Sequence, residues 1–234
     1  MTKPVLVLQN QSSDGPGYLG QWMAANGVPF VVFNAEAGED FPASIEPYSA
    51  LALLGGEMSA NDPLPFLRDA ERLILDATAR DRPVIGHCLG GQLMAKALGG
   101  RVTRAAIPEV GWHPVKLSAE PLARHWLGEP ASVMVFQWHE DTFELPPDAV
   151  LLASSDVCRG QAFAVGRHLA LQFHAEINAQ KVAVWLASPD PSYKALQPVQ
   201  ATVHDPERIS RDTAVHLAAH QQWVAGIYRR WLGR

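Results

Sequence analysis

Short apolar runs alternate with amphipathic stretches through the first hundred residues. The continuously apolar runs lie at 4–8, 29–33, 50–54 and from Val84 onward. Such runs are typical of strands that are covered on both faces of a parallel sheet. Between them, apolar positions recur at helical spacing at 19–26 and at 62–80, where Asp62 precedes two prolines. This alternation predicts a doubly wound α/β fold with helices on both faces of one sheet.

The pattern changes after residue 102, where turns and short strand-like segments replace the long helices. These strand-like segments lie at 109–117, 132–138, 149–154 and 161–165. A short helix is predicted between Pro121 and Gly128, and a strand at 168–173 is followed by a helix at 178–186. We therefore expect a mostly parallel but mixed sheet, with antiparallel strands at one edge.

Beyond this core of about 4–186, an extension covers about 187–234. A Pro-containing break at 188–191 precedes a terminal helix, for which Asp205 is the predicted cap and Pro206 the first residue. His216 and His220 are four residues apart, and without a third ligand they favour a solvated helix face over a metal site. The extension could cover a cleft, cap the sheet or join two copies in a homodimer. We treat 1–234 as a single domain.

Composition narrows the class of protein. The chain of 234 residues is 47% hydrophobic, has a net charge of −5, and contains no apolar run long enough to span a bilayer. Its cationic residues do not cluster beyond Arg229 and Arg230, so neither a nucleic acid nor a membrane surface is an expected partner. Two cysteines without a disulfide framework predict a cytoplasmic protein, in which Cys158 is an ordinary buried thiol.

The segment at 84–92 carries the clearest chemical signal. A strand runs into Gly86-His87-Cys88-Leu89-Gly90, and a helix-forming stretch follows and is closed by Gly99 and Gly100. Glycines on both sides of a cysteine permit a tight strand-to-helix turn that lifts the thiol into a cleft. A helix N-terminus stabilises a thiolate, and the amide of Leu89 points where an oxyanion would form. We call residues 86–90 the elbow and predict that Cys88 is a nucleophile.

A base for this thiol is predicted at the end of the strand at 168–173. His174 follows that strand directly, and Glu176 lies two residues further on. The carboxyl ends of parallel strands converge on one crevice, so Cys88 and His174 should meet there. Glu176 would then orient the imidazole, as the third member of a catalytic triad does.

The order of three motifs resembles the class I, or triad, glutamine amidotransferases. The motifs are Gly55-Gly56, Gly86-x-Cys88-x-Gly90-x-Gln92 and Phe173-His174-Ala175-Glu176. The likeness covers roughly residues 4–186 and is strongest to free-standing members similar to the amidotransferase half of GMP synthetase and to γ-glutamyl peptidases. It implies a flavodoxin-like fold, a γ-glutamyl thioester on Cys88, a triad completed by His174 and Glu176, an oxyanion-hole amide at Gly56, and a substrate contact at Gln92.

Two further segments are candidates for the substrate site. The strand at 50–54 ends in Gly55-Gly56, whose backbone amides are able to face a ligand. Phe136-Gln137-Trp138-His139-Glu140-Asp141 resembles a segment that holds glutamine in synthetase-linked members, and there Trp138 and His139 are the expected contacts. Trp138 and Glu140 replace a small polar residue and a glycine, which favours a substrate other than free glutamine.

Together with these residues, the resemblance implies an enzyme that hydrolyses a small γ-glutamyl amide, and we expect it to need neither cofactor nor metal. His139, Glu140 and Asp141 are adjacent in sequence and do not by themselves supply metal-ligand geometry. Glu109, in Glu109-Val110-Gly111-Trp112, could bind an amine or form a structural hydrogen bond, and we favour the second. Two alternatives stay open: a glutaminase that delivers ammonia to a separate synthetase, and a non-catalytic binding or regulatory homologue.

Overall fold

The computed structural model of the protein describes residues 3–187 and 191–234. The strands in these ranges are β1 Val5–Gln9, β2 Phe30–Asn34, β3 Ala50–Leu53, β4 Val84–His87, β5 Arg101–Leu117, β6 Ser132–Glu144, β7 Val150–Ser154, β8 Ala162–Val165 and β9 His168–Leu171. The helices are α1 Gly17–Ala25, α2 Pro65–Ala79, α3 Leu89–Ala97, α4 Pro121–Leu127, α5 Ala179–Ala187, α6 Pro191–Leu196 and α7 Pro206–Trp231. Among these described helices, none combines the length and apolar character needed to cross a membrane.

All these strands belong to one mixed sheet in the order β2-β1-β3-β4-β9-β8-β7-β5-β6. The first five strands in this order are parallel, and β8, β7, β5 and β6 continue the sheet in antiparallel pairs. The predicted mixed sheet with antiparallel strands at one edge is therefore confirmed. Because β4 and β9 are parallel neighbours, the residues that follow them lie side by side at the carboxyl edge of the sheet.

Apolar side chains from the helices cover both faces of the sheet. Residues of α1, α4 and α7 pack into one core cluster, and residues of α2 and α3 pack into a second. The amphipathic pattern of α2 places Leu67, Leu73 and Ile74 in the second cluster, where they are fully buried. The doubly wound arrangement predicted from the hydrophobic pattern is thus the one observed.

Several element boundaries differ from the prediction. β5 begins at Arg101, earlier than the predicted 109, and β6 ends at Glu144, later than the predicted 138. The added residues pair with each other, 101–104 with 141–144, beyond a register shift. Most residues in this added part of β5 are exposed, so the sequence there shows no hydrophobic alternation. The helix predicted from Asp62 begins instead at Pro65, since the Asp62 side chain accepts a hydrogen bond from the Ser59 amide at 3.0 Å.

The C-terminal extension both caps the sheet and reaches the carboxyl edge. Of the predicted break at 188–191, residues 188–190 lie outside the described residues, and Pro191 is the first residue of α6. Asp205 caps α7 as expected, since it accepts from the Arg208 amide at 2.7 Å. The predicted solvated face at His220 is wrong: its side chain is buried against Trp112, and its Nδ1 is 3.3 Å from the Met134 carbonyl. His220 lies at helical spacing with the buried residues Thr213, Val224 and Ile227, and so belongs to the face of α7 that packs on the protein.

Candidate active site

The elbow holds Cys88 in a backbone conformation that an L-residue rarely adopts. Its φ is 49° and its ψ is −110°, between the end of β4 and the start of α3. A Cβ at Gly86 would lie 2.5 Å from the Gly90 carbonyl carbon, and one at Gly90 would lie 2.5 Å from the Leu53 carbonyl oxygen. Glycine is therefore required at both positions, as the sequence predicts. The strained turn presents the thiol at the carboxyl edge of the sheet.

His174 and Glu176 form a buried hydrogen-bonded pair beside this thiol. His174 Nδ1 is 2.8 Å from Glu176 Oε1, so this nitrogen donates to the carboxylate and Nε2 is left for the substrate side. Within the described chain, Nε2 has no hydrogen-bond partner, and His174 lines the same pocket as Cys88. Burial alone would lower the pKa of His174, but the charges of Glu176 and Cys88 outweigh it and raise that pKa to about 10. His174 is thus oriented by Glu176 and lies in the pocket that Cys88 also lines.

Lys181 places a buried cation next to the Glu176 carboxylate. Lys181, on α5, is paired with Asp14, and its Nζ lies 3.5 Å from Glu176 Oε1 and 2.8 Å from the Gly15 carbonyl oxygen. Burial would raise the pKa of Glu176, but His174 and then Lys181 hold it well below its usual range. Glu176 therefore stays ionised and keeps His174 oriented. The sequence analysis missed both Lys181 and Asp14.

Gly55 and Gly56, the two glycines after β3, have different surroundings. Gly56 lines the pocket, whereas Gly55 is not among the described residues that form the pocket wall. A Cβ at Gly55 would lie 2.9 Å from His174 Cε1, so this glycine makes room for the imidazole. Its expected contact with the substrate stays a prediction. Asn10 Nδ2 holds the Gly55 carbonyl at 2.8 Å and fixes the loop. Leu89 is the first residue of α3, so its amide has no acceptor within the helix.

The three remaining predicted contacts, Gln92, Trp138 and His139, all line the pocket. Gln92 Nε2 donates to the Asp141 carbonyl at 3.1 Å and so attaches α3 to β6. The carbonyl oxygen of Trp138 is 3.7 Å from Cys88 Sγ. His139 differs, because its Nδ1 is 3.0 Å from the Asp141 carbonyl and its Nε2 is 3.3 Å from Glu109 Oε2. Its imidazole therefore joins β5 to β6.

A buried cluster of Glu109, His139 and Cys158 brings three potential metal-ligating atoms within 4.8 Å of one another. It is not the group of adjacent residues considered from the sequence. Gln161 Nε2 donates to Glu109 Oε2 at 2.7 Å, and Cys158 Sγ lies 3.2 Å from Thr142 Oγ1. Burial raises the pKa of the Cys158 thiol, which favours the neutral form over the thiolate that a metal requires. The contacts indicate a hydrogen-bond network, in line with the structural role preferred for Glu109.

The pocket around Cys88 has a volume of about 650 Å³. One wall comes from the loop after β1 and the glycine loop, and another from β6. The structure adds residues that the sequence analysis did not identify as site residues, namely Arg104 from β5, Val184 and Trp185 from α5, and Pro191 and Ser192 from α6. The Trp185 ring meets the His174 imidazole edge to face, with centroids 4.8 Å apart. The C-terminal extension thus contributes directly to the cleft.

Comparison with known proteins shows similarity to glutamine amidotransferases and to proteins named as γ-glutamyl peptidases. The family model for glutamine amidotransferase class-I matches residues 21–182. The glutamine amidotransferase-like protein YfeJ of Salmonella typhimurium is 30% identical over 183 residues, or 74% of this chain and 75% of that protein. A glutamine-hydrolyzing GMP synthase subunit from Thermoplasma volcanium is 37% identical over 131 residues, 54% of this chain and 62% of the relative. Gamma-glutamyl peptidase 3 of Arabidopsis thaliana is 33% identical over 106 residues, 42% and 43% of the two chains.

Solved structures extend the likeness to the whole chain. The crystal structure of a glutamine amido transferase from Methylobacillus flagellatus superimposes with a TM-score of 0.95 at 39% identity, covering 100% of this chain and 95% of the other. The shared region includes the mixed sheet, its helices and the C-terminal extension. The extension is therefore also found outside this chain.

Proposed function

The chain belongs to the class I glutamine amidotransferase family, and on that premise we propose that it is a cysteine-dependent hydrolase of γ-glutamyl amide bonds. One observation carries the proposal: Cys88 and His174 line one pocket, and Glu176 orients the imidazole from 2.8 Å. Nucleophile, base and orienting group are the parts that acyl transfer through a thioester needs. Cys88 follows β4 directly, and His174 and Glu176 lie in the segment after β9.

The proposed reaction has two halves that use the same base. The Cys88 thiolate attacks the γ-carbonyl carbon, and a C–S bond forms while the oxyanion is held by the amides of Gly56 and Leu89. As the tetrahedral intermediate collapses, the C–N bond breaks and the departing amine takes a proton from His174 Nε2. His174 then removes a proton from water, which attacks the thioester, releases glutamate and restores the thiolate.

We favour an enzyme that acts on its own over one that supplies ammonia to a partner. A pocket of about 650 Å³ lies within the range of about 300–1,000 Å³ that accommodates whole drug-sized ligands, so there is room beyond the amide nitrogen. The relative named gamma-glutamyl peptidase 3 supports this choice. The relatives named as GMP synthase subunits support the second candidate, in which ammonia passes to a separate synthetase. Neither Cys88 nor Cys158 forms a disulfide, which supports a cytoplasmic location.

The test is the release of glutamate by the purified protein alone, from glutamine and from γ-glutamyl dipeptides and amines. Cys88→Ser should abolish release and leave the circular dichroism spectrum and the melting temperature close to those of the wild type. Cys158→Ser is the matched control, because it removes the other thiol without touching the pocket, and it should retain turnover.

Two results would contradict the proposal. Release that survives Cys88→Ser would exclude the thioester route. Hydrolysis of glutamine only, and only after a synthetase that co-purifies is added, would establish the second candidate in place of the independent hydrolase.

A further inference from the structure

We propose that the amine released by this enzyme is apolar and carries no carboxylate, so that its substrates are γ-glutamylated alkyl or arylalkyl amines rather than γ-glutamyl peptides. This inference rests on the hydrolysis proposed above and concerns the part of the pocket that takes the leaving group. It narrows the substrate to one chemical class that the relatives' names do not mention.

His174 marks where the leaving group lies. Its Nε2 protonates the departing nitrogen, so the group attached to that nitrogen must lie next to the imidazole. The neighbour of the imidazole is the Trp185 ring, at 4.8 Å and an interplanar angle of 73°. Val184, with 38% of its surface exposed, and Pro191 line the pocket from the same C-terminal side. The leaving group therefore departs along an apolar surface.

Neighbouring aromatic rings hold this surface in place. The Trp138 ring contacts the Trp185 ring at 5.6 Å and 75°, and it stacks on the Tyr193 ring at 5.0 Å and 30°. Phe136 also contacts the Trp185 ring, at 5.9 Å, and it stacks on the Trp138 ring at 6.4 Å. A wall fixed by ring packing costs little ordering when a ligand binds, and it favours apolar or aromatic ligand groups.

The charges around the pocket disfavour a second carboxylate on the substrate. Among the described residues of the pocket wall, Arg104 is the one lysine or arginine, and it is paired with Glu140 and has its Nη1 3.6 Å from Asp141 Oδ1. Asp14, which is paired with Lys181, and Glu57 add two further carboxylates to the wall.

A γ-glutamyl peptide would bring a second carboxylate into this pocket. The glutamyl half of any substrate carries one charge of each sign, whereas an amino acid leaving group adds a carboxylate close to the scissile nitrogen. That carboxylate would enter a pocket whose wall already contains the carboxylates of Asp14, Glu57, Glu140 and Asp141, which is a repulsive element against such substrates.

The experiment compares substrates that differ only in this carboxylate. γ-Glutamyl-phenethylamide and γ-glutamyl-phenylalanine form one pair, and γ-glutamyl-ethylamide and γ-glutamyl-alanine form the other. We expect kcat/KM to be at least about tenfold higher for the amide without the carboxylate in each pair, and higher for phenethylamide than for ethylamide. Equal or faster cleavage of the amino acid conjugates would overturn the inference while leaving the hydrolase itself established. A folded protein that releases glutamate from glutamine but from none of the four would overturn the inference alone, and one that releases glutamate from none of the five would refute the hydrolase as well.

Variants at Val184 separate the charge from the shape of the pocket. Val184→Lys places a cation on the exposed side of α5, where it should reduce the preference for phenethylamide over phenylalanine at least about fivefold. Val184→Gln has similar length without the charge and should keep the wild-type ratio. If the two variants change the ratio equally, or if neither changes it, charge is not what selects the leaving group.

Discussion

The Lys181→Met substitution removes the cation between Asp14 and Glu176. The Lys181 side chain is 6% exposed and Asp14 is 5% exposed, so the pair is almost completely buried. Methionine keeps most of the apolar stem, and the main loss is therefore the charge. Removing one partner of a buried ion pair costs about 3–5 kcal/mol, because the other charge is left unpaired. In a domain of this size that loss corresponds to a melting temperature lower by about 6–20 °C.

Thermal and urea unfolding at pH 7 measure this loss, and a second substitution tests its cause. In the double variant with Asp14→Asn, no unpaired aspartate charge is left, so the double variant should be more stable than Lys181→Met alone. If Lys181→Met lowers the free energy of unfolding by less than about 1 kcal/mol, the pair does not stabilise the fold as expected. A double variant less stable than the single one would show that the Asp14 charge is not the source of the loss.

The remaining predictions test the triad, the elbow and the buried histidine of α7. Glu176→Gln should lower kcat by about 10²–10⁴-fold and move the alkaline limb of kcat/KM to lower pH, since Glu176 raises the pKa of His174; an unmoved limb would contradict this. Gly86→Ala should lower the melting temperature strongly, because its Cβ would lie 2.5 Å from backbone atoms, whereas Gly15→Ala, whose nearest neighbour would be 3.8 Å away, should not. Burial lowers the pKa of His220 to about 4. In the unfolded chain His220 binds a proton below about pH 6.5, whereas in the folded chain it binds one only below about pH 4. The free energy of unfolding therefore falls as the pH is lowered through this window, by up to about 3 kcal/mol. His220→Leu should flatten this loss in melting temperatures recorded from pH 7 to 4.5, and an unchanged slope would rule out His220 as its source.

The residues of the proposed triad could be located from the sequence because each is specified by its immediate neighbours. Cys88 lies between two glycines that a strand-to-helix turn requires, and His174 follows a continuously buried strand. The parallel pairing of β4 with β9 then brings them to one edge without further information. In such cases local backbone chemistry and fold class together are sufficient.

The residues that surround the triad depend on contacts between distant segments. Lys181 reaches the triad because α5 packs beside the loop after β1, and its pairing with Asp14 joins segments that are far apart in the sequence. In sequence it is a lysine in a short amphipathic helix, where a solvated position is the usual outcome. The only local signal is that Lys181 and Trp185 are four residues apart and so share a helix face.

The order in which the chain is synthesised gives the sheet topology a further consequence. On the ribosome β4 emerges well before its neighbour β9, whose Leu171 carbonyl accepts from the Cys88 amide at 2.9 Å. The Tyr228 hydroxyl, on α7, lies 3.4 Å from His87 Nε2 in the same elbow. A nascent chain that has not reached these segments has β3 beside β4 but lacks β9 and α7, and so holds the thiol without His174. Cys88 and His174 are therefore brought together only late in translation, once β9 has paired with β4.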